Sequence, residues 1–377
     1  MLAKTAPGNS GFALASSNLL TNTSVSEKRR TYRATITPQK SLGVSLTRTK
    51  ISGTVTDMND RGDLLTLVSP ADADYREYVH QYKDKRDAPI RASENDRYFL
   101  KKDGSFFKFE SMMGHIKMNR PGLIRASADG SQAIKKPALS QTSMPPIRFA
   151  YNEIRFFKRL NEDGTFLMVQ RTQGKNPLFE LGNGRFPKTF NHIYSSPNMI
   201  EVLEKGESNS LWVRETAPMR SNASETLWRF VDGKKEKVAF PEGYKVVNRV
   251  AETNGIVAAT FGSIDNHNGI RSFLKDGSHW KELPIPEGYF FGFVQKITTD
   301  GLILGFVTDE DRDNLKQVVW QGDSVTVLND DPAWPRNGIL SYITSANRNG
   351  DIYVQNVLET NNSASLCDYY LLNVKPR

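Results

Sequence analysis

Two stretches of this chain, LWRFVDGKKEKVAFPEGY (227–244) and SFLKDGSHWKELPIPEGY (272–289), repeat one pattern and decide the fold. Each contains an apolar segment, an Asp-Gly pair, a second apolar segment and the tetrapeptide Pro-Glu-Gly-Tyr, and the tetrapeptides begin 45 residues apart. Asp-Gly supplies the positive backbone angles of a two-residue hairpin, and alternating apolar and polar residues are typical of half-buried strands. The pattern therefore predicts a repeated β-hairpin.

Related copies of this hairpin occur along the chain, and a second pattern lies between them. The further hairpins are 318–328, 99–109, 177–190 and a truncated copy at 368–376. The second pattern is a polar turn that ends in Gly before an alternating apolar strand. Its members are 248–261, 295–308, 344–357, 58–68, 125–134 and 159–169, and 195–203 fits it in part because it lacks the Gly. A unit of about 45 residues with two hairpins predicts a four-stranded antiparallel sheet.

A single sheet of this size cannot bury both faces, so such units stack around an axis. The sequence therefore predicts an all-β fold, a six- or seven-bladed β-propeller over residues 51–377. The predicted blade core contains Trp228, Phe273, Leu274, Val319 and Trp320. Because an open ring would leave strand edges unpaired, we expect residues near 43–55 to add a strand to the sheet containing 351–376.

The segment ITTDGLILG (297–305), followed by VVWQGDSVTVL (318–328), resembles the bacterial extracellular repeats of the HAF family. Units of that family alternate an I-N-x-x-G-x-I-V-G strand with an A-F-x-W-x-x-G-x-x-x-x-L hairpin, and the resemblance is best over 225–377. It implies a propeller and an exported or surface setting, and it implies no catalytic residues.

Charge is concentrated at the N-terminus. The chain has 377 residues and a net charge of +8, and residues 1–50 hold eight basic side chains against one acidic, Glu27. This segment is rich in Ser and Thr and has only two aromatic residues, so it cannot bury enough apolar surface to fold alone. We therefore expect a basic extended arm that precedes a nearly neutral body. Its predicted partner-binding residues are Lys28, Arg29, Arg30 and Arg33.

The arm does not match a secretory signal, since polar residues interrupt its apolar stretch at 11–20. A mitochondrial transit peptide remains an alternative, because Ser-rich, Arg-rich and acid-poor composition describes one. No stretch approaches the ~20 continuous apolar residues of a membrane-spanning helix. The single cysteine, Cys367, excludes internal disulfides and Cys-based metal sites.

Residues 71–86 have a spacing of aromatic residues that predicts a short amphipathic helix inserted into the first blade. Asp72 and Asp74 lie at its start and basic residues lie near its end, as the helix dipole favours. The tyrosines of this segment pack on the propeller or form a contact surface for a partner. The candidate partner-binding residues here are Tyr75, Tyr78 and Tyr82.

Motifs for phosphate loops, dinucleotide binding, zinc proteases and serine hydrolases are absent from the sequence. The acidic stretches 57–63, 263–269 and 309–314 resemble calcium loops only in part, because the first and last lack the Glu required at the twelfth position. We therefore predict no cofactor and no catalytic residue. Convergence of two or more of the residues Asp57, Asp163, Asp300, His192 and Arg348 on one channel mouth would instead favour an enzyme.

These observations support three interpretations of function. The first is a non-enzymatic structural or adhesion protein of a large assembly, most concretely a bacteriophage virion or tail component, with protein subunits or a host surface glycan or receptor as partners. The second is a propeller enzyme or glycan-binding protein that is extracellular or on the cell surface. The third is a cytoplasmic or organellar scaffold. Nucleic acid is expected to bind, if at all, only through the arm.

Overall fold

Antiparallel strands make up most of the residues that the computed structural model describes. The structure describes residues 49–51, 54–68, 76–82, 85–92, 96–100, 104, 106–112, 115–117, 155–160, 165–171, 178–185, 189–205, 210–217, 225–263, 269–361 and 364–376. These residues form 28 strands, arranged in seven sheets, and one short 3₁₀ helix, Leu328–Asp330. Among them is no helix long and apolar enough to cross a membrane.

Four successive sheets each contain four strands in chain order, and each strand pairs with the next. Sheet 3 contains β10 (Arg155–Leu160), β11 (Thr165–Arg171), β12 (Phe179–Arg185) and β13 (Thr189–Ser196). Sheet 4 contains β14 (Met199–Lys205), β15 (Leu211–Thr216), β16 (Glu225–Val231) and β17 (Lys234–Val238). Sheet 5 contains β18 (Tyr244–Thr253), β19 (Ile256–Ser263), β20 (Ile270–Asp276) and β21 (His279–Glu282). Sheet 6 contains β22 (Phe291–Ile297), β23 (Ile303–Thr308), β24 (Leu315–Gln321) and β25 (Ser324–Val327).

The other three sheets depart from this plan. Sheet 1 contains β2 (Thr54–Met58), β3 (Asp63–Val68), β4 (Arg76–Tyr82), β5 (Lys85–Arg86) and β6 (Ile90–Ala92), the last two both pairing with β4. Sheet 2 contains β7 (Asp96–Leu100), β8 (Phe106–Met112) and β9 (His115–Lys117). Sheet 7 combines β26 (Leu340–Ala346), β27 (Asp351–Asn361) and β28 (Ala364–Asn373) with β1 (Thr49–Ile51) from the other end of the body.

The strand predicted from residues near 43–55 is confirmed. Thr49 pairs with Leu371 and Ile51 pairs with Tyr369, so β1 extends the sheet that contains residues 351–376. The contact continues beyond β1, since the Thr54 hydroxyl lies 3.0 Å from the Tyr369 hydroxyl. A segment close to the arm is thereby hydrogen-bonded to the last strand of the body.

The predicted hairpins are also confirmed where they are described. Asp232 and Gly233 have φ values of 48° and 77°, and Asn254 and Gly255 have values of 52° and 77°. Positive φ at both central residues defines the turn whose twist matches that of antiparallel strands. In residues 195–203, a polar turn precedes strand β14 as predicted, but this turn joins β13 of sheet 3 to β14 of sheet 4 instead of two strands of one sheet. Residues 125–134 lie outside the described residues.

The helix predicted over 71–86 is wrong where the structure describes this segment. Arg76–Tyr82 is strand β4, which pairs along its whole length with β3, and Lys85–Arg86 is strand β5. The hydrogen bonds offered by the edge of β3 outweigh the helical spacing of the tyrosines, because tyrosine also favours strands. The segment therefore supplies outer strands of sheet 1.

Apolar clusters lie between neighbouring sheets, and adjacent residues of one strand enter different clusters. Val318 packs with residues of sheet 5, whereas Val319 packs with residues of sheet 7. Successive side chains of a strand point to opposite faces, so a strand enclosed between two sheets is apolar at every position. Of the predicted core, Phe273, Val319 and Trp320 are buried, while Trp228 and Leu274 are half-buried.

Six of the seven first strands share a β-bulge, which interrupts their pairing with the second strand. The bulged residues are Thr56, Lys158, Leu203, Asn248, Gln295 and Thr344. In sheets 5 and 6, the bulge separates two buried residues by two more exposed ones, as in Val294-Gln295-Lys296-Ile297. A bulge bends the strand and redirects side chains. The repeated units are therefore alike in backbone detail as well as in sequence.

Candidate functional site

The turns between first and second strands, called here the inner turns, contain a repeated polar motif. The inner turns of sheet 1 (59–62) and sheet 7 (347–350) both begin Asn-x-x-Gly and are followed by Asp. In sheet 1, the Asn59 side-chain oxygen accepts hydrogen bonds from the backbone N–H groups of Arg61 and Asp63, at 3.0 and 2.9 Å. Asn347 accepts the equivalent bonds from Asn349 and Asp351. This motif was missed in the sequence because only its glycines were aligned.

Hydrogen bonds connect the inner turns of sheets 5, 6, 7 and 1 in succession. The Asn254 amide donates to the Thr299 carbonyl oxygen of sheet 6, at 3.3 Å. Thr299 in turn donates its backbone N–H to the Arg348 carbonyl oxygen of sheet 7, at 2.7 Å. The Arg348 N–H donates to the Asp60 carboxylate of sheet 1, at 3.0 Å, and the Asn347 amide donates to the Asn59 carbonyl oxygen at the same distance. These polar groups join the sheets together.

Sheet 4 is linked to sheet 5 by a buried carboxylate at the same end. Glu252, which is 3% exposed, accepts hydrogen bonds from the Ser210 hydroxyl at 2.5 Å and from the Trp212 indole at 2.6 Å. Arg229 forms an ion pair with it, at 2.7 Å. All three donors belong to sheet 4 or precede its second strand. Glu252 is thus committed to the contact between the two sheets.

Sheet 3 is linked to sheet 4 through another carboxylate, Glu215. It accepts hydrogen bonds from Tyr194 at 2.7 Å, Ser196 at 2.5 Å and the Trp228 indole at 2.7 Å. Burial and the Glu215 charge raise the pKa of Tyr194 to about 12. Tyr194 therefore remains a neutral donor across the physiological pH range, and this contact also holds sheets together.

The five residues whose convergence would indicate an enzyme have different environments. Asp57 accepts the backbone N–H of Leu100, at 2.7 Å, and so joins sheet 1 to sheet 2. His192 is exposed on β13, at the outer edge of sheet 3. Asp300 and Arg348 lie in neighbouring inner turns, but the Arg348 guanidinium faces Asp60 at 3.8 Å. Asp163 lies outside the described residues.

Of the predicted partner-binding tyrosines, Tyr78 is a core residue. It is 2% exposed and packs with Leu65, so it does not form a contact surface. The reason is the strand conformation of β4, which points Tyr78 into the space between sheets 1 and 2. Tyr82 pairs with Asp63 and Lys85 through its backbone. The other candidates, Tyr75, Lys28, Arg29, Arg30 and Arg33, lie outside the described residues.

A groove of about 450 Å³ lies between the sheet 4–5 connection and the outer hairpin of sheet 5. The rings of Phe240, Tyr244 and Trp280 line it. The groove is also lined by two glutamates, Glu242 and Glu282, and by His279. The Trp280 indole donates to the Ala239 carbonyl oxygen at 2.8 Å, which fixes one wall. Aromatic side chains beside exposed polar groups are typical of protein interfaces.

Within the described part of the chain, no group of three or more His, Cys, Asp or Glu side chains is arranged to hold a metal ion. The acidic stretch 309–314 forms its own turn, in which the Asp309 carboxylate accepts the backbone N–H groups of Asp313 and Asn314. The Asp309 carboxylate therefore stabilises the turn of this loop.

No protein-family model matches this sequence, and no curated protein matches it. Solved structures with a similar fold include two from Pyrococcus species. The β-propeller domain of the Trilobed protease from Pyrococcus furiosus, described as having an open velcro topology, matches with a TM-score of 0.51 and 12% identity over 88% of this chain and 97% of that one. An acylaminoacyl peptidase from Pyrococcus horikoshii matches with a TM-score of 0.52 and 10% identity over 88% of this chain. This chain spans 52% of that peptidase. These similarities show that the fold is a β-propeller. They carry no information on activity.

Proposed function

We propose that this protein is a seven-bladed propeller that serves as a non-enzymatic binding platform in a large assembly, with its basic N-terminal arm as a tether to neighbouring subunits. The assembly we propose is a bacteriophage particle or its tail. One observation carries the proposal: strand β1 (Thr49–Ile51), at the junction of the arm and the body, is hydrogen-bonded into the C-terminal sheet. Tension on the arm therefore acts on a paired strand of the body.

The distribution of apolar clusters supports seven blades in a closed ring. Clusters join sheets 1 and 2, and then each pair of successive sheets from 3 to 7. A further cluster contains Leu64 of sheet 1 and Tyr353 of sheet 7, which brings the last sheet against the first. Six of the seven contacts of such a ring thus have a buried core in the described residues.

The groove beside Trp280 supplies a surface that suits the arm of a neighbouring copy. Its acidic lining residues are Glu242 and Glu282, of which Glu282 already pairs with Arg271 at 3.2 Å, and its aromatic rings attract cations placed over their faces. The arm offers four closely spaced cations, Lys28, Arg29, Arg30 and Arg33. Opposite charges and cation–π contacts support the binding of the arm of one copy to the groove of the next.

Deletion of residues 1–40 tests the tether. We expect the truncated protein to keep its thermal unfolding midpoint, because the deletion ends before β1 and leaves the described sheets intact. We expect it to be absent from purified particles, as measured by mass spectrometry against the full-length protein. Binding of the intact protein should also weaken as salt rises, since exposed charge contacts are screened within about 8–10 Å. Normal incorporation of the truncated protein would refute the tether.

The chain offers a matched pair of variants for the groove. Glu242→Lys reverses a charge on its rim, whereas Glu287→Lys makes the same change at the equivalent Pro-Glu-Gly-Tyr turn, outside the groove lining. We expect Glu242→Lys to weaken binding of a synthetic peptide covering residues 24–40 by about tenfold, the equivalent of ~1.4 kcal/mol. Glu287→Lys should bind the peptide as the wild type does. Isothermal titration calorimetry measures the two affinities. If both variants bind the peptide equally well, the arm does not bind in this groove.

A further inference from the structure

A buried charged cluster lies in sheet 1, next to its contact with sheet 7. His80 of β4 is 3% exposed, and Asp63 of β3 is fully buried. The His80 ring contacts a carboxylate on each side, with Nε2 3.1 Å from Asp63 Oδ1 and Nδ1 2.7 Å from Asp87 Oδ2. The backbone reinforces this arrangement, because the Asp87 N–H donates to the His80 carbonyl oxygen at 2.9 Å.

For both contacts to be hydrogen bonds to ionised carboxylates, each of the two His80 ring nitrogens must carry a proton. An ionised carboxylate only accepts hydrogen bonds, and a neutral imidazole carries a single N–H. A neutral His80 would therefore place a nitrogen lone pair against a carboxylate oxygen in one of the two contacts. Only the imidazolium form donates to Asp63 and Asp87 at the same time. The geometry thus selects the charged form of His80.

The charges of the cluster balance only when His80 is protonated. Arg61, in the inner turn, forms an ion pair with Asp63, with Nε 3.0 Å from Oδ2. The Asn59 amide also donates to Asp63 Oδ2, at 2.6 Å. Among the described residues, the cluster therefore contains two carboxylates, one guanidinium and His80. Loss of the His80 proton would leave two carboxylates with one cation, Arg61, and the fully buried Asp63 would lose the positive charge on one of its sides, which is costly.

The same cluster fixes the inner turn that sheet 7 contacts. Asn59 is hydrogen-bonded to Asp63, and its carbonyl oxygen accepts the Asn347 amide of sheet 7. The neighbouring Asp60 accepts the Arg348 N–H and faces its guanidinium. A Cβ at Gly62 would lie 3.2 Å from the Asp351 carboxylate, so the two turns are in close contact. Disturbance of the Asp63 position would therefore disturb the contact between sheets 7 and 1.

We propose that His80 is a pH-sensitive lock on the contact between sheets 7 and 1. The protonated ring holds Asp63 and Asp87, and through Asp63 it holds the inner turn 59–62 against residues 347–351. Loss of the proton frees one carboxylate and loosens this turn. The proposal concerns the integrity of the body and is independent of the arm and the groove.

The direction of the pH dependence follows from the two ionisations. Burial opposes the charge of His80, but the hydrogen bonds and charges of Asp63 and Asp87 outweigh it and raise the His80 pKa above its usual 6.5. Its contribution is thus complete below pH ~6.5 and is lost as the pH rises through the raised pKa. Burial likewise opposes the charge of Asp63, yet hydrogen bonds from His80 and Asn59 lower its pKa below 3.8. Its contribution is lost only as the pH falls through that lowered value.

Two measurements on the full chain test the lock. In ¹⁵N-labelled wild-type protein at pH 6, we expect the chemical shifts of both His80 ring nitrogens to be those of imidazolium. Hydrogen-exchange protection of the amides of Gly62, Asp63 and Arg348 should fall between pH 6 and pH 8.5. The expected fall is about tenfold for each unit by which the folded pKa exceeds the unfolded one, after correction for intrinsic exchange.

Variants separate the lock from general effects of pH. In His80→Gln, protection of these amides should be lower at pH 6 and should no longer change between pH 6 and 8.5. His192→Gln, which removes the exposed histidine of sheet 3, should behave as the wild type does. If His80→Gln does not fold, the wild-type nitrogen shifts still decide the question. A neutral His80 tautomer at pH 6, or protection that is independent of pH in the wild type, would overturn the proposal.

Discussion

Replacement of Trp320 by alanine should lower the free energy of unfolding by about 3–5 kcal/mol, as large-to-small changes of fully buried aromatic residues do. Trp320 is 0% exposed and packs between sheets 5 and 6 with Val294, Ile297 and Ile303. Its indole N–H donates to the Pro284 carbonyl oxygen at 2.7 Å, and the alanine variant would leave this oxygen without its donor. A Cβ at Gly305 would lie 2.5 Å from the ring, so the surrounding backbone is fitted closely to the indole.

Denaturant unfolding measures this loss, and Trp280→Ala is its control. Trp280 is half-buried on the outer strand of sheet 5, so its replacement should cost less than that of Trp320. Trp320→Phe should fall between the wild type and Trp320→Ala, because it retains an aromatic ring but leaves Pro284 without its donor. A loss below about 1 kcal/mol for Trp320→Ala would mean that the contact between sheets 5 and 6 is not as described.

Lys50→Pro should lower the free energy of unfolding by roughly 1–3 kcal/mol and should promote self-association. Lys50 is the central residue of β1 and pairs with Tyr370 of β28. Proline has no N–H, fixes its own φ and restricts the residue before it, so the substitution should weaken the pairing of β1 with β28, whose backbone hydrogen bonds contribute about 0.5–1.5 kcal/mol each. It also exposes the edge of β28, and an unpaired edge is a template for association with another chain.

The control is Lys50→Ala, which retains the backbone N–H. Its effect should stay within about 0.5 kcal/mol, because alanine keeps the backbone pairing of β1 with β28. Thermal unfolding measures the difference in stability, and light scattering measures the difference in association. Equal stability of the proline and alanine variants would mean that β1 does not support sheet 7.

The repeat in the sequence was sufficient to predict the sheets, because hairpin turns and alternating strands are local signals. Asp232-Gly233 and Asn254-Gly255 form turns as expected, and β1 completes sheet 7 as expected. The segment Arg76–Tyr82 was interpreted incorrectly because tyrosines at positions 75, 78 and 82 fit a helix face, whereas the long-range partner β3 selects a strand. The spacing of residues within one segment carries no information about a strand partner elsewhere in the chain.

The polar contacts between the sheets could not be predicted for a related reason. The hydrogen bond from Asn347 to Asn59 joins residues 288 positions apart, and the His80 cluster combines residues of two strands and two connections. No spacing rule relates such residues. The repeated Asn-x-x-Gly-Asp sequence at 59–63 and 347–351 was the available signal, and it would have placed equivalent turns in two sheets.

The pairing of β1 with β28 has a consequence for biosynthesis. β1 leaves the ribosome first among the described strands and its partner β28 leaves last. The pairing of Thr49 with Leu371 therefore forms only after the intervening strands have been synthesised. Contacts of such large sequence separation form slowly, because the entropy of closing the chain is lost before the contact stabilises it. Until then, β1 has no strand to pair with. Chaperones therefore have a period, set by translation, in which to engage β1 before sheet 7 is complete.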